Sequence, residues 1–377
     1  MNTGGASRNA PRDTEVGPAT AAETPRRFEI TQRSHRVIFG EGLNEALRRE
    51  VANGTLGPYA LIATAGMARR FESLTTAEVQ KSRVGTFSGA VPHVPEEVAR
   101  CALDRVRTCG AEYLVAFGGG SSLDTAKAVS HWLHLPILAI PTNFSGSEVT
   151  WNFGMTRHGV KRTVLDPDVL PKIVIYDPAL LSTLTLQAAA CSGVNAIAHA
   201  IEGLYAPNAN PLTAAAALAG IRALVSGLLD RSSGGPDADA RCFAGSWLCA
   251  EVLSQVGMGL HHRICHVLGG TFGLPHAATH TVMLPYSIDF NYDWAPALAA
   301  LSDLFCGCSL AAGLAKFSRH MGAPSSLSEL GLPEGELAHV AKLTLATPLS
   351  NPRPVTVADV QHILARAFVG KMTGDWR

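Results

Sequence analysis

Short apolar runs of strand length alternate with helical patterns in the first half of this sequence. The runs are rich in β-branched or aromatic residues and end in Gly, Pro or Thr, and helical patterns such as PEEVARCALDRVRTCG (95–110) fit between them. This alternation predicts a parallel sheet covered by helices on both faces. The predicted strands lie within RVIFGEGL (36–43), YALIATA (59–65), EYLVAFGGG (112–120), LPILAIPT (135–142) and KIVIYDP (172–178).

The pattern changes after about residue 185. Long Ala/Leu-rich amphipathic stretches follow at 211–229 and 239–270, joined by the polar loop RSSGGPDAD (231–239). These stretches predict helices, and we find no convincing strand among them. We therefore expect an α/β domain over residues 26–185 and an all-helical domain over 186–377. Residues 1–25 lack the apolar region of a signal peptide and have the composition of a disordered tail.

Composition narrows the possible partners of this 377-residue chain. Lys and Arg together number 31, as do Asp and Glu, so there is no basic excess to favour nucleic acid or an anionic membrane. The content of 47% hydrophobic and 16% charged residues indicates large buried surfaces and a homo-oligomer, for which a homodimer is expected. The apolar stretches stop short of a membrane span. The eight cysteines form no Cys-x-x-Cys pair, which is typical of reduced thiols in a cytoplasmic protein.

A glycine-rich turn is the first candidate binding feature. In AFGGGSSLDTAK (116–127) a strand leads through Gly118, Gly119 and Gly120 into a helix that opens at Ser121 and Ser122. Glycines let a backbone approach a pyrophosphate, and a helix N-terminus favours an anion. The spacing of Ser121 and Asp124 also predicts a capping box. The sequence is neither G-x-G-x-x-G nor a Walker A motif, so a turn without a ligand is the alternative.

A second polar loop, IPTNFSGSEVT (140–150), follows the next predicted strand. Because neighbouring parallel strands end at the same edge of a sheet, its side chains should face the same ligand as the glycine-rich turn. The residues expected to bind the cofactor are Gly118, Gly119, Gly120, Ser121, Ser122, Asp124, Thr142, Asn143, Ser145 and Thr150. The loop after the first central strand has no carboxylate for a ribose 2′-OH but contains Arg69 and Arg70, which favours use of either NADH or NADPH.

Histidines dominate the second half. His262 and His266 lie one turn apart on a predicted helix that Gly269 and Gly270 would end, and His276 follows Pro275. Asn195 and His199 share one face of another predicted helix. A single buried histidine is most often structural. Three at ordered spacing together with His199 instead predict a shared pocket.

Several long motifs in this sequence occur in the same order in a known family. GGGSSLD, PTNFSGSE, the N-x-x-x-H-x-x-E helix and H-x-x-x-H-x-x-G-x-x-x-x-x-P-H resemble the iron-containing (group III) alcohol dehydrogenases. HVPEEV, DPDVLPKIVIYDPAL and GVNAIAHAIEGLYAPNANP are most similar to the maleylacetate reductases of that family. The resemblance spans roughly residues 28–375. It implies a dinucleotide-binding α/β domain, a helical domain and an active site in the cleft between them.

The same resemblance implies a ligand set with one departure. Metal-dependent members hold Fe²⁺ or Zn²⁺ with an Asp and three His, which match Asn195, His199, His262 and His276. An amide at Asn195 removes a negative charge and a stronger oxygen donor, although three histidines can still hold zinc. Because maleylacetate reductases resemble this chain in having Asn there, we expect a degenerate site and catalysis that does not require a metal.

The activity implied by the resemblance is reduction of maleylacetate to 3-oxoadipate with NADH or NADPH, in bacterial degradation of aromatic compounds. The alternatives are a metal-dependent alcohol or aldehyde dehydrogenase of the same fold and a lyase similar to dehydroquinate synthase. A nucleotide-binding sensor is less consistent with the clustered histidines.

Residue roles follow from the chemistry that this activity requires. A substrate with two carboxylates needs positive groups, an enolate needs a donor, and protonation needs an acid. TRHGVKRT (156–163) supplies Arg157, Lys161 and Arg162, although a solvated hairpin is the alternative. The expected catalytic residues are His199, His262, His266 and Lys161, with His266 as the proton donor. The expected substrate-binding residues are Arg157, Lys161, Asn195, His199 and His276.

Overall fold

The computed structural model describes residues 30–31, 33–157, 160–305 and 308–372, without the side chains of residues 160 and 161. The predicted tail, residues 1–25, lies outside the described residues. A parallel sheet forms the first half of the fold, as the alternating pattern predicts. Its strands, together with those of a separate hairpin, are β1 (Arg36–Phe39), β2 (Tyr59–Ile62), β3 (Arg83–Phe87), β4 (Tyr113–Gly118), β5 (Ile137–Pro141), β6 (Asn152–Arg157), β7 (Val160–Leu165) and β8 (Ile173–Tyr176).

Six strands pair in the order β1-β8-β5-β4-β2-β3, and all of these pairs are parallel. From β2 the chain first adds β3 on one side and then crosses over to add β4 on the other. The C-terminal ends of β2 and β4 therefore flank the point where the strand order reverses, which is where open α/β sheets bind ligands. The glycine-rich turn follows β4 at this point. Strands β6 and β7 form an antiparallel hairpin outside the sheet.

Helices cover the sheet and build the second half. Those before residue 185 are α1 (Leu43–Ala52), α2 (Ala65–Leu74), α3 (Ala77–Lys81), α4 (Glu96–Arg107) and α5 (Gly120–Leu133). Those after it are α6 (Leu186–Tyr205), α7 (Pro211–Ser232), α8 (Ala238–Gln255), α9 (Leu260–Phe272), α10 (His276–Asn291), α11 (Leu310–His320), α12 (Leu337–Thr344) and α13 (Val357–Val369). All described strands precede residue 177, so the predicted fold class is confirmed.

Two helix ends differ from the prediction. The stretch 239–270 is broken between α8 and α9, because the backbone becomes extended at Val256 and Gly259 then starts a new helix. Helix α9 also continues through Gly269 and Gly270 and ends at Gly273, whose φ of 68° is left-handed. Glycine inside a helix costs about 1 kcal/mol, and tertiary packing offsets that cost here. Strands β3, β6 and β7 were not predicted.

Small side chains allow three helices of the second half to approach one another closely. Helices α6, α7 and α8 pack together, and a Cβ atom at Gly220 would lie 2.8 Å from the Cys249 sulfur, so these helices approach closely. Helix α7 is long and apolar enough to cross a membrane by length and composition alone. Its contacts with α6 and α8 identify it as a core helix of this fold. The seven cysteines in the described part of the chain are free.

Candidate active site

A cavity of about 750 Å³ lies where the polar loop after β5 meets α6, α9 and α10. It joins the α/β half of the chain to the helical half, so residues far apart in sequence share one space. From the first half it is lined by Asp124, Ser145, Ser147, Thr150, Asn152, Phe153, Gly154 and Thr163. From the second half it is lined by Leu253, Met258, Val267, Gly270, Thr271, His339, Leu343 and the histidines His199, His262, His266 and His276.

A larger cavity of about 890 Å³ lies between residues 30–37 and α8. Arg33 stacks over Trp151 there, and Glu251 contacts both His35 and Trp247. The histidine cluster does not line it. We therefore assign the chemistry to the smaller cavity, where several titratable groups converge.

The glycine-rich turn has the geometry of a phosphate cradle. Gly118 has a φ of 141°, a backbone conformation that residues with a side chain rarely adopt. A Cβ atom at Gly119 would lie 2.3 Å from the Asn143 side-chain nitrogen, so this position also requires glycine. Gly119 is the N-cap of α5, and no side chain in the described part of the chain caps that helix. The first amide groups of α5 are thus left to an anion, which fits a dinucleotide pyrophosphate. The Ser122 hydroxyl is buried beside them without a hydrogen-bond partner in the described structure.

Asp124 does not form the predicted capping box. One of its carboxylate oxygens accepts a hydrogen bond from the Ser147 hydroxyl at 2.5 Å, and the other accepts one from the Gly154 amide at 3.2 Å. Helix α5 begins at Gly120, one residue before the predicted cap at Ser121. The carboxylate instead ties α5 to the loop and hairpin that form the cavity wall. Asp124 lines the cavity, and its role in cofactor binding stays a prediction.

Sequence reasoning missed Lys127, which holds the same loop from within. Its buried ammonium donates to the Ser147 hydroxyl (3.0 Å), the Thr150 hydroxyl (2.9 Å) and the Asn152 carbonyl (2.9 Å). Burial lowers the pKa of Lys127 to about 8, against the opposing charges of Asp124 and Glu148. A lysine inside an apolar helical pattern was the available signal.

The helix face predicted from Asn195 and His199 is confirmed, and both side chains point into the protein. The Asn195 carbonyl oxygen and the His199 Nδ1 are buried with no hydrogen-bond partner among the described residues. The His262 ring stacks on that of His199, with centroids 5.0 Å apart, and its Nε2 is likewise without a partner. Burial lowers the pKa of His199 and of His262 well below the ordinary value, so both rings are neutral.

Glu202 determines which ring nitrogen of His262 is unprotonated. Its carboxylate lies 2.6 Å from His262 Nδ1 and also accepts hydrogen bonds from the amides of Gly259 and His261. Because the carboxylate accepts, His262 carries its proton on Nδ1 and presents the lone pair of Nε2. Burial raises the pKa of Glu202, while the His261 ring and the amides of Gly259, His261 and His262 oppose that rise. Glu202 belongs to the N-x-x-x-H-x-x-E pattern, which was the missed signal.

The remaining histidines extend the cluster. His266 lies 6.0 Å from His262 and 6.2 Å from His276 between ring centroids, so the structure brings the predicted set together. Two further histidines were not predicted. His280 lies 4.5 Å from His276 and 4.7 Å from His262, and it is hydrogen-bonded to His261. His280 stands one helical turn after His276, and this spacing could have revealed it.

The basic residues predicted to bind the substrate or the cofactor do not line the cavity, or their side chains lie outside the described residues. Arg157, on β6, is 63% exposed and its Nε lies 3.0 Å from a Glu96 oxygen. The backbone of Lys161 is part of β7, but its side chain lies outside the described residues. Arg70 donates to the Leu180 carbonyl at 2.8 Å, whereas Arg69 is exposed on α2. The roles of Arg157 and Lys161 therefore stay predictions.

The donors in the cavity fit a cation held by neutral ligands. A buried amide oxygen and two buried imidazole nitrogens without partners would otherwise remain unpaired, which is costly in an apolar interior. Nitrogen and oxygen donors of this kind suit Fe²⁺ or Zn²⁺. His276 also lines the cavity. The residues that would hold a metal are thus Asn195, His199, His262 and His276.

Comparison with protein families corrects one expectation. The model of the iron-containing alcohol dehydrogenases matches residues 34–178, and that of the C-terminal part of the Fe-containing alcohol dehydrogenase family matches residues 189–368. Membership of an iron-containing family implies a metal cofactor. Our expectation that catalysis requires no metal is therefore wrong, and Asn195 is a weak ligand position rather than evidence against a metal.

Individual relatives cover nearly the whole chain. Maleylacetate reductase of Sphingobium indicum is 41% identical over 339 residues, covering 89% of this chain and 96% of that enzyme. Maleylacetate reductase of Rhizobium sp. (strain MTP-10005) is 38% identical, covering 91% and 98%. The crystal structure of maleylacetate reductase from Agrobacterium tumefaciens superposes with a TM-score of 0.86 at 37% identity, covering 92% and 99%. In both sequence and architecture, this chain belongs to the iron-containing alcohol dehydrogenase family.

Proposed function

We propose that this protein reduces maleylacetate to 3-oxoadipate with NADH or NADPH. The supporting observation is the similarity to maleylacetate reductases over about nine-tenths of the chain, which includes both walls of the cavity. The cofactor pyrophosphate would bind at the N-terminus of α5, because no side chain among the described residues caps that helix. We infer that the nicotinamide end of the cofactor would extend towards the histidine cluster.

The reaction is a hydride transfer followed by protonation. Hydride from the nicotinamide adds to the alkene carbon β to the ketone, and the electron pair of the C=C bond moves to form an enolate. The neighbouring carbon then takes a proton, so that one NAD(P)H and one proton are consumed for each product. A metal bound at the cluster would supply a positive charge.

The geometry favours His266 as the proton donor. The single N–H group of the neutral His262 ring donates a hydrogen bond to Glu202. Its other nitrogen therefore presents only a lone pair to the cavity and cannot supply a proton. His266 lines the cavity and lies 6.0 Å from His262 between ring centroids. Asn195, His199 and His276 remain the proposed contacts for the substrate or for a metal, with Arg157 and Lys161 as proposed partners of the two carboxylates.

The test is an assay of nicotinamide oxidation. We expect maleylacetate to drive loss of NADH absorbance, and NADPH to support a rate within about tenfold of that with NADH, equivalent to about 1.4 kcal/mol. Simple aldehydes and ketones are the matched controls. If they are reduced and maleylacetate is not, the protein is an alcohol or aldehyde dehydrogenase. If no substrate oxidises NADH, a lyase of this fold is favoured.

We propose further that the chain is a cytoplasmic homodimer. The free thiols support a reducing compartment. The composition, with 47% hydrophobic and 16% charged residues, supports an oligomer with large buried surfaces. Light scattering coupled to size exclusion should give twice the chain mass.

A further inference from the structure

Behind the cavity, α9 and α10 bury a trio of side chains that the proposed function does not use. His261 and Cys265 lie one turn apart on α9, and His280 faces them from α10. The donor atoms of the three lie within 4.8 Å of one another, and all three side chains are buried. Such a cluster is either a metal site or a hydrogen-bonded network, and its proton positions distinguish the two.

The protons can be assigned from one end of the network. The Ser287 hydroxyl lies 3.2 Å from the Met283 carbonyl, one turn back on α10, and 3.2 Å from His261 Nδ1. A carbonyl only accepts, so the single hydroxyl proton goes to Met283. The Ser287 oxygen must then accept from His261, which places the proton of this neutral ring on Nδ1.

The assignment continues into His280. His261 Nε2 now carries a lone pair, and it lies 2.9 Å from His280 Nδ1. His280 therefore donates from Nδ1, and its own Nε2 is bare and buried with no partner in the described structure. The opposite arrangement would leave an unpaired N–H at His280 and would lose the bond to Met283. Unpaired buried N–H groups are rarer than unpaired acceptors.

This network leaves the trio poorly suited to a metal. The lone pair of His261 Nε2 is already used by His280, and His280 Nδ1 carries a proton. Besides the bare Nε2 of His280, the Cys265 sulfur, 3.8 Å from His261 Nε2, lacks a strong partner in the network. A cation would have to displace the 2.9 Å hydrogen bond and remove a proton from a buried thiol.

His280 is instead the shared support of two cavity histidines. Its ring centroid lies 4.5 Å from that of His276 and 4.7 Å from that of His262, at interplanar angles of 62° in both cases. His262 is held from its other side by Glu202. Rotation of the His280 ring would therefore press on two rings that line the cavity.

We propose that the Ser287–His261–His280 network is a positioning device that sets the ring orientations of His262 and His276. His280 is a positioning residue, because it acts on the cavity through these two rings. The kinetic part of this inference rests on the proposed function, whereas the structural part does not.

The test breaks the network at the end that is farthest from the cavity. Ser287→Ala removes the acceptor of His261 Nδ1 without touching a cavity residue. Ser318→Ala is the matched control, because Ser318 is a buried serine whose hydroxyl donates to the carbonyl four residues earlier on α11 and is hydrogen-bonded to no histidine among the described residues. Ser287→Thr keeps the hydroxyl and should restore the network.

We expect Ser287→Ala to lower kcat with maleylacetate on the order of tenfold to a hundredfold, as small displacements of catalytic groups do. KM for NADH should be unchanged, Ser318→Ala should retain full kcat, and Ser287→Thr should recover most of it. Crystals of Ser287→Ala should show the rings of His280, His262 and His276 rotated relative to wild type. Equal activity in the two alanine variants, or unmoved rings, would overturn the inference.

Two further outcomes separate the explanations. If wild type does not reduce maleylacetate, the proposed function fails and the ring orientations alone decide the positioning role. Titration with Co²⁺ checks the alternative of a metal at the trio. A cobalt–thiolate absorption band that is lost in Cys265→Ala would identify a metal site and overturn our assignment, and its absence supports the network.

Discussion

The Glu202 carboxylate lies 2.6 Å from His262 Nδ1, although the two residues are 60 positions apart. The same carboxylate accepts the amides of Gly259 and His261 at the start of α9. One buried side chain of α6 thus caps α9 and selects the protonated nitrogen of a cavity histidine. A carboxylate that accepts a hydrogen bond from the far nitrogen of a histidine ligand makes the ligand more basic and orients its ring.

Replacing this carboxylate by an amide should damage both fold and site. In Glu202→Gln, the side-chain NH₂ group replaces a carboxylate oxygen that accepted hydrogen bonds from backbone amides and from His262, so two donors then face each other. We expect the free energy of unfolding to fall by roughly 2–4 kcal/mol. Metal affinity should also fall, because His262 loses its fixed tautomer. Denaturant unfolding and metal binding are the measurements. Glu251→Gln, which alters the Glu251–His35 pair outside the cavity, is the control and should leave metal affinity unchanged.

A carboxylate at the position of Asn195 should strengthen cation binding. Asn195→Asp adds a full negative charge beside His199 and an oxygen donor that divalent cations prefer. We expect at least about tenfold tighter binding of Zn²⁺, equivalent to about 1.4 kcal/mol. Calorimetric titration measures it. Asn210→Asp adds the same charge at the N-cap of α7 and should have no effect. Equal affinity of Asn195→Asp and wild type would place the cation elsewhere.

The glycine-rich turn offers a test with adjacent positions. A Cβ at Gly119 would lie 2.3 Å from the Asn143 nitrogen, whereas a Cβ at Gly120 would make an ordinary contact of 3.7 Å with Ser145. Gly119→Ala should therefore displace Asn143 and lower the free energy of unfolding by about 1–3 kcal/mol, and NADH affinity should fall with it. Gly120→Ala should leave stability near that of wild type. Fluorescence titration with NADH and thermal unfolding measure both effects, and equal stability of the two variants would contradict the clash.

Lys127 should make stability depend on pH in the alkaline range. Its pKa is about 8 in the folded protein, against an ordinary value of 10.5, with Asp124 and Glu148 as the nearby charges. Between these two values the unfolded state binds more protons, so the contribution of Lys127 to stability rises with pH by about 1.4 kcal/mol per unit. Below pH 8 the contribution is constant, because the ammonium is charged in both states.

The measurement is the free energy of unfolding of wild type minus that of Lys127→Met as a function of pH. The difference should be level below pH 8 and rise above it. Buried thiols such as Cys242, whose pKa burial raises to about 12, titrate in both proteins and cancel. A difference that stays level through this range would show that Lys127 is not desolvated as described.

Local patterns in the sequence determined much of the fold. The five predicted strands fall on β1, β2, β4, β5 and β8, because short apolar runs bounded by Gly and Pro encode buried parallel strands. β3, with the sequence RVGTF, and the hairpin strands β6 and β7 are partly exposed and polar, so they carry no such signal. The glycine-rich turn was located for the same reason, since it directly follows a strand.

The sequence also predicted which residues share one face of a single helix. Asn195 and His199 share a face because residues four apart do so in any α-helix. What a pattern cannot encode is the partner that such a face meets. Asp124 has the spacing of a capping box, yet it bonds Ser147 and Gly154, because the loop after β5 brings a hydroxyl and the hairpin brings an amide to its carboxylate.

The histidines show what local spacing in the sequence can predict and what depends on tertiary packing. The sequence by itself placed His262, His266 and His276 near one another, because they lie on consecutive helical turns or just beyond a short loop. Only the tertiary structure decided that His262 is bonded to Glu202 and that His280 is bonded to His261. These contacts depend on how α6, α9 and α10 pack, and packing is determined by the whole core rather than by the local period of any one helix.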